Sequence, residues 1–280
     1  MADECVIKPE IRSRLTRARR VVVKVGTSTI THDNGRFNLG NMDRICRSVA
    51  EQMNRGREII LVSSGAIGVG VGRLRLQQKP QLIREKQAIA AVGQCELMNM
   101  YSRFFSDYHY AVAQILLTRD DIDDEVTRVN ICNTFEALLE REIVPIVNEN
   151  DTVSTREIYH NGTFGDNDAL SAIVAVHLQA DLLIILSDID GLYTVDPRIS
   201  QDACLIATVS EITDEIEQAA GGAGSLRGTG GMHSKILAAK IATAAGLDTV
   251  IANGSTVRMV DQILEGDVVG TWFQADQPAG

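Results

Sequence analysis

The chain has 280 residues, of which 45% are hydrophobic and 23% charged, an ordinary composition for a soluble globular protein. That length allows a substantial buried core, organised as one large domain or as two closely joined lobes. The net charge of −10 argues against nucleic-acid binding and against contact with an anionic membrane surface, and no apolar run reaches the length of a membrane span.

Strand-like and helix-like segments alternate from Val21 onwards. Continuous apolar runs predict six strands, at Val21–Gly26, Arg57–Ser63, Tyr110–Leu117, Ile143–Asn148, Asp181–Ser187 and Thr249–Ala252. Apolar residues at helical spacing predict six helices, over Asn38–Arg55, Gln81–Phe105, Asp121–Glu142, Asp168–Gln179, Met232–Ala245 and Val257–Leu264. The arginine-rich first twenty residues predict a further helix, packed on the surface of the domain.

The predicted strands are apolar along their length and do not alternate with polar residues. This pattern is typical of a mainly parallel sheet covered by helices on both faces, so the predicted fold class is α/β. Polar and acidic loops dominate before residue 180, and glycine-rich loops follow it. We therefore expect one domain, 1–280, in which an N-terminal lobe (1–180) and a C-terminal lobe (181–280) share the sheet and form a cleft.

Lys24 lies inside the first predicted strand, on the opposite face from Val23 and Val25. A lysine in a central strand is costly unless its ammonium group meets a counter-charge or the strand end opens onto a site. The alternative is a lysine at the edge of the sheet that extends into solvent. Ligands of parallel α/β sheets bind beyond the carboxyl ends of the strands, which favours a role for Lys24 in a site.

The turn after the second strand contains Ser64 and Gly65. Its small residues leave backbone N–H groups open to a carboxylate or phosphate, and the Ser64 hydroxyl adds a hydrogen-bonding group. A tight turn without a ligand explains the same residues equally well.

Two acidic segments, Asn148–Asp151 and Gly165–Asp168, bound a polar stretch between a strand and a helix. Asp151, Asp166 and Asp168 are therefore expected at the same end of the sheet as Lys24. Carboxylates there can bind an ammonium group, carry Mg²⁺ or hold lysines in place. Asp168 alternatively serves only as the N-cap of its helix.

The fifth predicted strand leads into a turn-rich loop, Ser187–Arg198, in which Asp188 and the adjoining backbone are placed to meet the ribose or base of a nucleotide. Further on, six glycines fall within Gly221–Gly231, directly before a helix that contains Lys235. Backbone N–H groups and the helix dipole make such a loop a binding site for phosphate, to which Lys235 adds a charge. A flexible linker is the alternative, but a linker does not normally run straight into a helix.

Two lysines, a glycine loop and acidic side chains together indicate phosphoryl transfer, in which positioning and charge stabilisation carry most of the catalysis. The chain has no P-loop motif, no dinucleotide-binding fingerprint and no signature of a catalytic triad. No general base is apparent either. A carboxylate acceptor needs none, because with a pKa of about 4.3 it is already ionised at neutral pH.

The five cysteines are scattered along the chain, without a C-x-x-C pair. Such a set is typical of reduced thiols and not of a disulfide framework or a zinc site. We therefore expect a cytoplasmic protein.

Six ordered motifs follow VVVKVGTS at Val21: SSGAIGVG, LLTRDD, IVPIVNEND, FGDNDALSA, SDIDGLYTVDPR and GTGGMHSK. As far as Phe273 the chain thereby resembles the glutamate 5-kinases of the amino-acid kinase family. The resemblance implies an αβα sandwich with a central, mainly parallel sheet of about eight strands. It also implies ATP-dependent phosphorylation of the γ-carboxylate of L-glutamate, the first step of proline biosynthesis.

The resemblance also implies roles for individual residues. Lys24 would contact ATP and stabilise the transferring phosphoryl group, Lys235 would grip the nucleotide phosphates, and Asp168 would orient both lysines. Glutamate would be bound by Ser64, Asp151 and Asn167, with Asp151 facing the α-ammonium group. The remaining contacts to ATP would come from Ser187, Asp188, Thr229, Gly230, Gly231, Met232, His233 and Ser234. Mg²⁺ would accompany ATP, and its protein ligands are left open.

The family further suggests proline as feedback inhibitor, glutamyl phosphate reductase as functional partner, and a homo-oligomer, dimer or tetramer. We expect a short form, without the C-terminal PUA domain of many members. Two alternatives stay open: a sister kinase acting on aspartate, N-acetylglutamate, carbamate or UMP, and a catalytically silent amino-acid sensor. The pairing of the two acidic segments favours glutamate, and the presence of Lys24, Lys235 and Asp168 argues against the sensor.

Overall fold

A computed structural model describes residues 12–78, 80–153, 167–200, 202–220 and 231–276. The strands are β1 (Arg20–Val25), β2 (Glu58–Ser63), β3 (Val112–Leu117), β4 (Val144–Glu149), β5 (Leu182–Ser187), β6 (Thr208–Val209), β7 (Asp248–Asn253) and β8 (Thr271–Phe273). The helices are α1 (Ser13–Thr16), α2 (Thr27–Ile30), α3 (Leu39–Asn54), α4 (Ala66–Arg73), α5 (Ile83–Asp107), α6 (Arg119–Asp123), α7 (Glu125–Leu139), α8 (Asn167–His177), α9 (Asp214–Ala220), α10 (Met232–Ala244) and α11 (Met259–Glu265).

The eight strands form one sheet in the order β3-β4-β2-β1-β5-β7-β8-β6. Every neighbouring pair is parallel except β7 and β8. β1 lies in the middle and pairs directly with β5, so the sheet runs without interruption past residue 180, the predicted boundary between the lobes. The α/β class and the eight-stranded, mainly parallel sheet are confirmed.

Alternate residues of β1 are buried in different cores. Val21, Val23 and Val25 pack in the core that contains α3, α5 and α11 residues, whereas Val22 packs in the core that contains α7, α8 and α10 residues. Because side chains alternate along a strand, Lys24 follows Val22 onto the second face. The helices thus cover both faces of the sheet, and the sandwich has three layers.

All six strands predicted from apolar runs are present, within one or two residues at their ends. β6 and β8 were missed, because strands of two and three residues are too short to give a recognisable run. The helix predicted over Asp121–Glu142 is instead two helices, α6 and α7. They separate at Asp124, whose extended backbone ends one helix and whose side chain accepts a hydrogen bond from the Thr127 N–H at the start of the next. Of the helix predicted in the first twenty residues, α1 lies within the described part, and Leu15 packs it onto the domain.

α4 was also missed, since its sequence AIGVGVGR contains three internal glycines, which disfavour helix. One of them, Gly70, allows close packing against α5. A Cβ added at Gly70 would lie 2.2 Å from the Ile89 carbonyl oxygen, and one at Gly93 of α5 would lie 1.8 Å from the Ala66 carbonyl oxygen. The two helices therefore approach more closely than any side chain at these positions would allow.

Replacing Gly93 with alanine is expected to lower the free energy of unfolding by about 3 kcal/mol, because the new methyl group would push α4 and α5 apart. Gly40, near the start of α3, provides the matched control, since a Cβ there has no atom within 4 Å. Gly40→Ala should be neutral or slightly stabilising. Urea unfolding of both variants measures the difference, and equal midpoints would contradict the close approach of the helices.

Within the described ranges, no helix is both long and apolar enough to cross a membrane.

Candidate active site

The candidate site lies where β4, β2, β1 and β5 end. The Gly26 N–H donates to the Leu186 carbonyl at 3.1 Å, and the Ser64 N–H donates to the Val25 carbonyl at 3.1 Å. These bonds hold the turns after β1 and β2 beside the end of β5. The sheet topology thus brings together the segments that the sequence analysis singled out separately.

Lys24, Asp168 and Lys235 form a buried cluster, which we call the lysine–aspartate cluster. The Lys24 ammonium Nζ lies 2.5 Å from Asp168 Oδ1, and the Lys235 Nζ lies 3.1 Å from Asp168 Oδ2. Each of the three residues is at most 4% exposed. Lys24 is therefore not an edge lysine extending into solvent, and Asp168 is not merely a helix cap.

The two lysines fix the ionisation of Asp168. Burial by itself would raise the pKa of this carboxyl, but the charges and hydrogen bonds of Lys24 and Lys235 outweigh it and lower the pKa to about 2. The carboxylate is consequently ionised at neutral pH. With two lysines around one carboxylate, the cluster is suited to attract an anionic group such as a phosphate.

The start of α10 adds a hydroxyl to this cluster. Ser234 Oγ lies 2.9 Å from Asp168 Oδ2 and 2.9 Å from the Gly231 carbonyl oxygen. The sequence predicted Ser234 only as a contact to ATP, so its contact with Asp168 is an addition. Met232 is half-buried and His233 is exposed. Thr229, Gly230 and the earlier residues of the glycine loop lie outside the described residues.

Ser187 is the last residue of β5, and Asp188 follows it directly. Ser187 is buried and its hydroxyl donates to Asp188 Oδ1 at 3.0 Å, while Asp188 itself is exposed. Nearby, Asp190 accepts a hydrogen bond from the Asn253 amide at 2.8 Å. The ends of β5 and β7 thus present polar groups at one side of the site.

The opposite side is built by the segments after β2 and β4 and by the start of α8. Ser64 is half-buried and precedes Gly65, whose φ of +103° is the left-handed conformation that glycine adopts most easily. Asp151 is half-buried in a turn. Asn167 is only 8% exposed, and its Oδ1 has no hydrogen-bond partner among the described residues. Asp166 lies outside them.

Sequence reasoning missed Gln94, which lies in the middle of α5 and belongs to no recognised motif. Its Oε1 accepts a hydrogen bond at 2.8 Å from the amide of Asn148. Both side chains are buried. The only hint in the sequence is a polar residue in an otherwise apolar stripe of that helix.

In the part of the chain that the structure describes, no three histidine, cysteine, aspartate or glutamate side chains lie together as metal ligands would.

The known proteins to which this chain is similar are kinases. The amino acid kinase family matches residues 19–253. A glutamate 5-kinase of Clostridium perfringens is 55% identical over 265 residues, covering 95% of this chain and 98% of the relative. A glutamate 5-kinase of Moorella thermoacetica is 52% identical over 264 residues, covering 94% of this chain and 69% of the relative. The structure of carbamate kinase from Giardia lamblia bound to AMP-PNP matches in fold, with a TM-score of 0.65 at 15% identity, over 93% of this chain and 100% of that one.

Proposed function

This chain belongs to the amino acid kinase family and, within it, to the glutamate 5-kinases, and from that premise we propose its reaction and the roles of its residues. It transfers the γ-phosphoryl group of ATP to the γ-carboxylate of L-glutamate, which gives L-glutamyl 5-phosphate for proline biosynthesis. The observation that carries the residue roles is the lysine–aspartate cluster, buried at the carboxyl edge of the sheet.

In this reaction an oxygen of the γ-carboxylate attacks the γ-phosphorus of ATP, and the bond from that phosphorus to the β-phosphate oxygen breaks to release ADP. The attacking carboxylate is already ionised at neutral pH, so no side chain has to remove a proton. What the protein must supply is position and positive charge. The lysine–aspartate cluster fits that requirement.

We propose that Lys24 contacts the transferring phosphoryl group. Its ammonium group would stabilise the charge that develops on the phosphoryl oxygens. Lys235, one turn into α10, would hold the phosphates of ATP before and during transfer. Asp168 contacts both ammonium groups and would keep them in place. This division follows the elements that carry the residues: Lys24 is on the central strand, and Lys235 is on the helix that follows the glycine loop.

ATP would lie along the part of the sheet's carboxyl edge that the C-terminal lobe forms. We propose that its phosphates meet the start of α10, at Gly231, Met232, His233 and Ser234, together with Thr229 and Gly230 of the preceding loop. Ser187 and Asp188 would contact the remainder of the nucleotide. Mg²⁺ neutralises phosphate charge when bound, and it usually reaches such sites with the phosphates as ligands and not in a cage of protein side chains.

Glutamate would lie on the opposite side, bound by Ser64, Asp151 and Asn167. The buried Asn167 Oδ1, which lacks a partner in the described part of the chain, is suited to accept a hydrogen bond from the substrate. Asp151 would face the α-ammonium group.

Further proposals concern the setting of the reaction. We propose that proline inhibits by competing at the glutamate side, that a reductase consumes the glutamyl phosphate, that the protein forms a homo-oligomer, and that it works in the cytoplasm. An acyl phosphate is labile, and a reductase close at hand would limit its loss to water.

The function is tested by chemical trapping. Hydroxylamine converts an acyl phosphate to a hydroxamate and does not react in this way with a phosphate ester. We expect hydroxamate that requires ATP, Mg²⁺ and L-glutamate together, with aspartate and N-acetylglutamate as poor substitutes. Release of ADP without hydroxamate, whichever amino acid is supplied, would overturn the proposal.

Replacing Asp151 with alanine should raise KM for glutamate roughly 10- to 100-fold, the range expected for losing one hydrogen bond to a charged group. KM for ATP should change little. Val153→Ala is the matched control, since Val153 lies in the same turn and is 64% exposed. If KM for ATP rises while that for glutamate does not, the two sides of the site are assigned the wrong way round.

A further inference from the structure

Gln94 is a polar residue in the buried stripe of α5, among Ala90, Leu97, Tyr101 and Phe105. It is 8% exposed. A buried glutamine is costly unless its amide groups are hydrogen-bonded, so the contacts of both its oxygen and its nitrogen need an account.

The orientation of the Gln94 amide follows from its neighbours. Asn148 Oδ1 accepts a hydrogen bond from the Glu149 N–H at 2.9 Å, so the amide nitrogen of Asn148 must face Gln94. The Gln94 atom that meets this nitrogen, 2.8 Å away, is therefore the acceptor Oε1. This leaves Nε2 as the second group, and it is buried without a hydrogen-bond partner within the described residues.

The place of Gln94 in the fold identifies what the amide nitrogen can meet. The preceding residue, Gly93, packs against the Ala66 carbonyl, directly after Ser64 and Gly65. Its partner Asn148 opens the segment that ends at Asp151. Gln94 thus lies between two of the segments that we assign to glutamate.

We propose that Gln94 Nε2 donates a hydrogen bond to the α-carboxylate of L-glutamate. The inference rests on the proposed function and deepens it by naming a residue that recognises the substrate. An N–H group needs an acceptor, and at the α-end of glutamate the ammonium group only donates, so the α-carboxylate is the sole acceptor there.

The γ-carboxylate is the wrong candidate for this contact. It must reach the lysine–aspartate cluster, and Lys24 is on β1. β4, where Gln94 binds Asn148, is separated from β1 by β2, a distance of about 10 Å at the usual spacing of about 4.8 Å between strands. Gln94 therefore belongs to the end of the substrate that does not react, and its loss should act on KM more than on kcat.

The test uses two variants that separate this role from a structural one. Gln94→Glu keeps the length of the side chain and the oxygen that accepts from Asn148, but it replaces the N–H donor by an acceptor. Gln94→Leu removes both groups. We expect both variants to raise KM for glutamate by roughly 10- to 100-fold or more in the hydroxamate assay, with kcat within a few-fold of the wild-type value.

γ-Aminobutyrate supplies the matched ligand, because it keeps the ammonium group and the reacting carboxylate of glutamate and lacks only the α-carboxylate. Competition against glutamate gives its affinity, whether or not it is phosphorylated. We expect its affinity to be the same for the wild type and for Gln94→Leu. Tyr101→Phe is the control on the protein side, since it removes a buried hydrogen bond to Ser63 two turns further along α5 and should leave the ratio of the two affinities unchanged.

If folded Gln94→Glu had the KM of the wild type for glutamate, the inference would be overturned. That variant can still hold Asn148 but can no longer donate a hydrogen bond to the substrate. An equal loss of affinity for glutamate and γ-aminobutyrate would overturn it too. Absence of hydroxamate from the wild-type enzyme would instead reject the proposed function, so the two failures are distinct.

Discussion

Replacing Lys24 with methionine is expected to lower kcat by roughly 10²- to 10³-fold, with little change in KM for glutamate. Methionine is close to lysine in length and fills the same buried space without the charge. The lost ammonium group is the one proposed to act on the transferring phosphoryl group, where charge develops only in the transition state. An interaction stronger in the transition state than in the ground state appears in kcat.

The rate of hydroxamate formation at saturating ATP and glutamate measures this effect. Lys235→Met is the natural comparison, because it makes the same change at the second buried lysine of the cluster. It should raise KM for ATP as well as lower kcat, since that lysine is proposed to hold the nucleotide before reaction. A folded Lys24→Met enzyme with near-normal kcat would remove Lys24 from the chemistry.

Replacing Asp168 with asparagine should have the largest effect on stability, a loss of about 3–5 kcal/mol. The substitution removes the carboxylate that both buried ammonium groups contact. Asp123→Asn is the control, because Asp123 forms an exposed ion pair with Arg119 and its loss should be nearly neutral. Urea unfolding distinguishes the two. Adding Lys235→Met to Asp168→Asn should restore part of the loss, since it removes one of the uncompensated charges.

The same carboxylate gives the cluster a defined dependence on pH. The pKa of Asp168 is lowered from its ordinary value of 3.8 to about 2 in the folded protein, so folding favours the ionised form. Its contribution to stability is complete above about pH 4 and is lost as the pH falls towards 2. Asp168→Asn should lack this pH-dependent contribution to stability. If the acid-unfolding curves of the wild type and of Asp168→Asn were parallel, Asp168 would not be the source of the pH dependence.

The sequence predicted which residues lie at the site where their position follows from the topology of the sheet. Lys24 and Asp168 are far apart in sequence, yet both were expected at one edge. Lys24 lies near the carboxyl end of its strand, and Asp168 lies at the start of the helix that follows another strand of the parallel sheet. The apolar runs that define those strands are long and uninterrupted, which is why they could be recognised. The residues alone left several roles open for Asp168, and only the family resemblance implied that it pairs with both lysines. The cost of burying an unpaired charge is the physical reason for that pairing.

Gln94 and Ser234 could not be assigned in this way. An apolar stripe tells which face of α5 is buried, but it does not tell which strand that face meets or where along the strand. A contact such as Gln94 with Asn148 depends on how far the helix is shifted along the sheet. For Ser234, a hydroxyl at the start of a helix has several partners within reach, and the sequence alone does not select Asp168 among them.

The three members of the lysine–aspartate cluster come from positions 24, 168 and 235. During synthesis on the ribosome, the chain that has reached α8 already contains Lys24 and Asp168, but the second lysine emerges only after some seventy further residues. Bringing together segments so distant in sequence costs loop-closure entropy, and this cost arises before the contacts between them can form and offset it. The catalytic centre would consequently be among the last parts to become ordered, and nascent chains cut short before α10 would have a folded framework at most, with no activity to compete for glutamate or ATP.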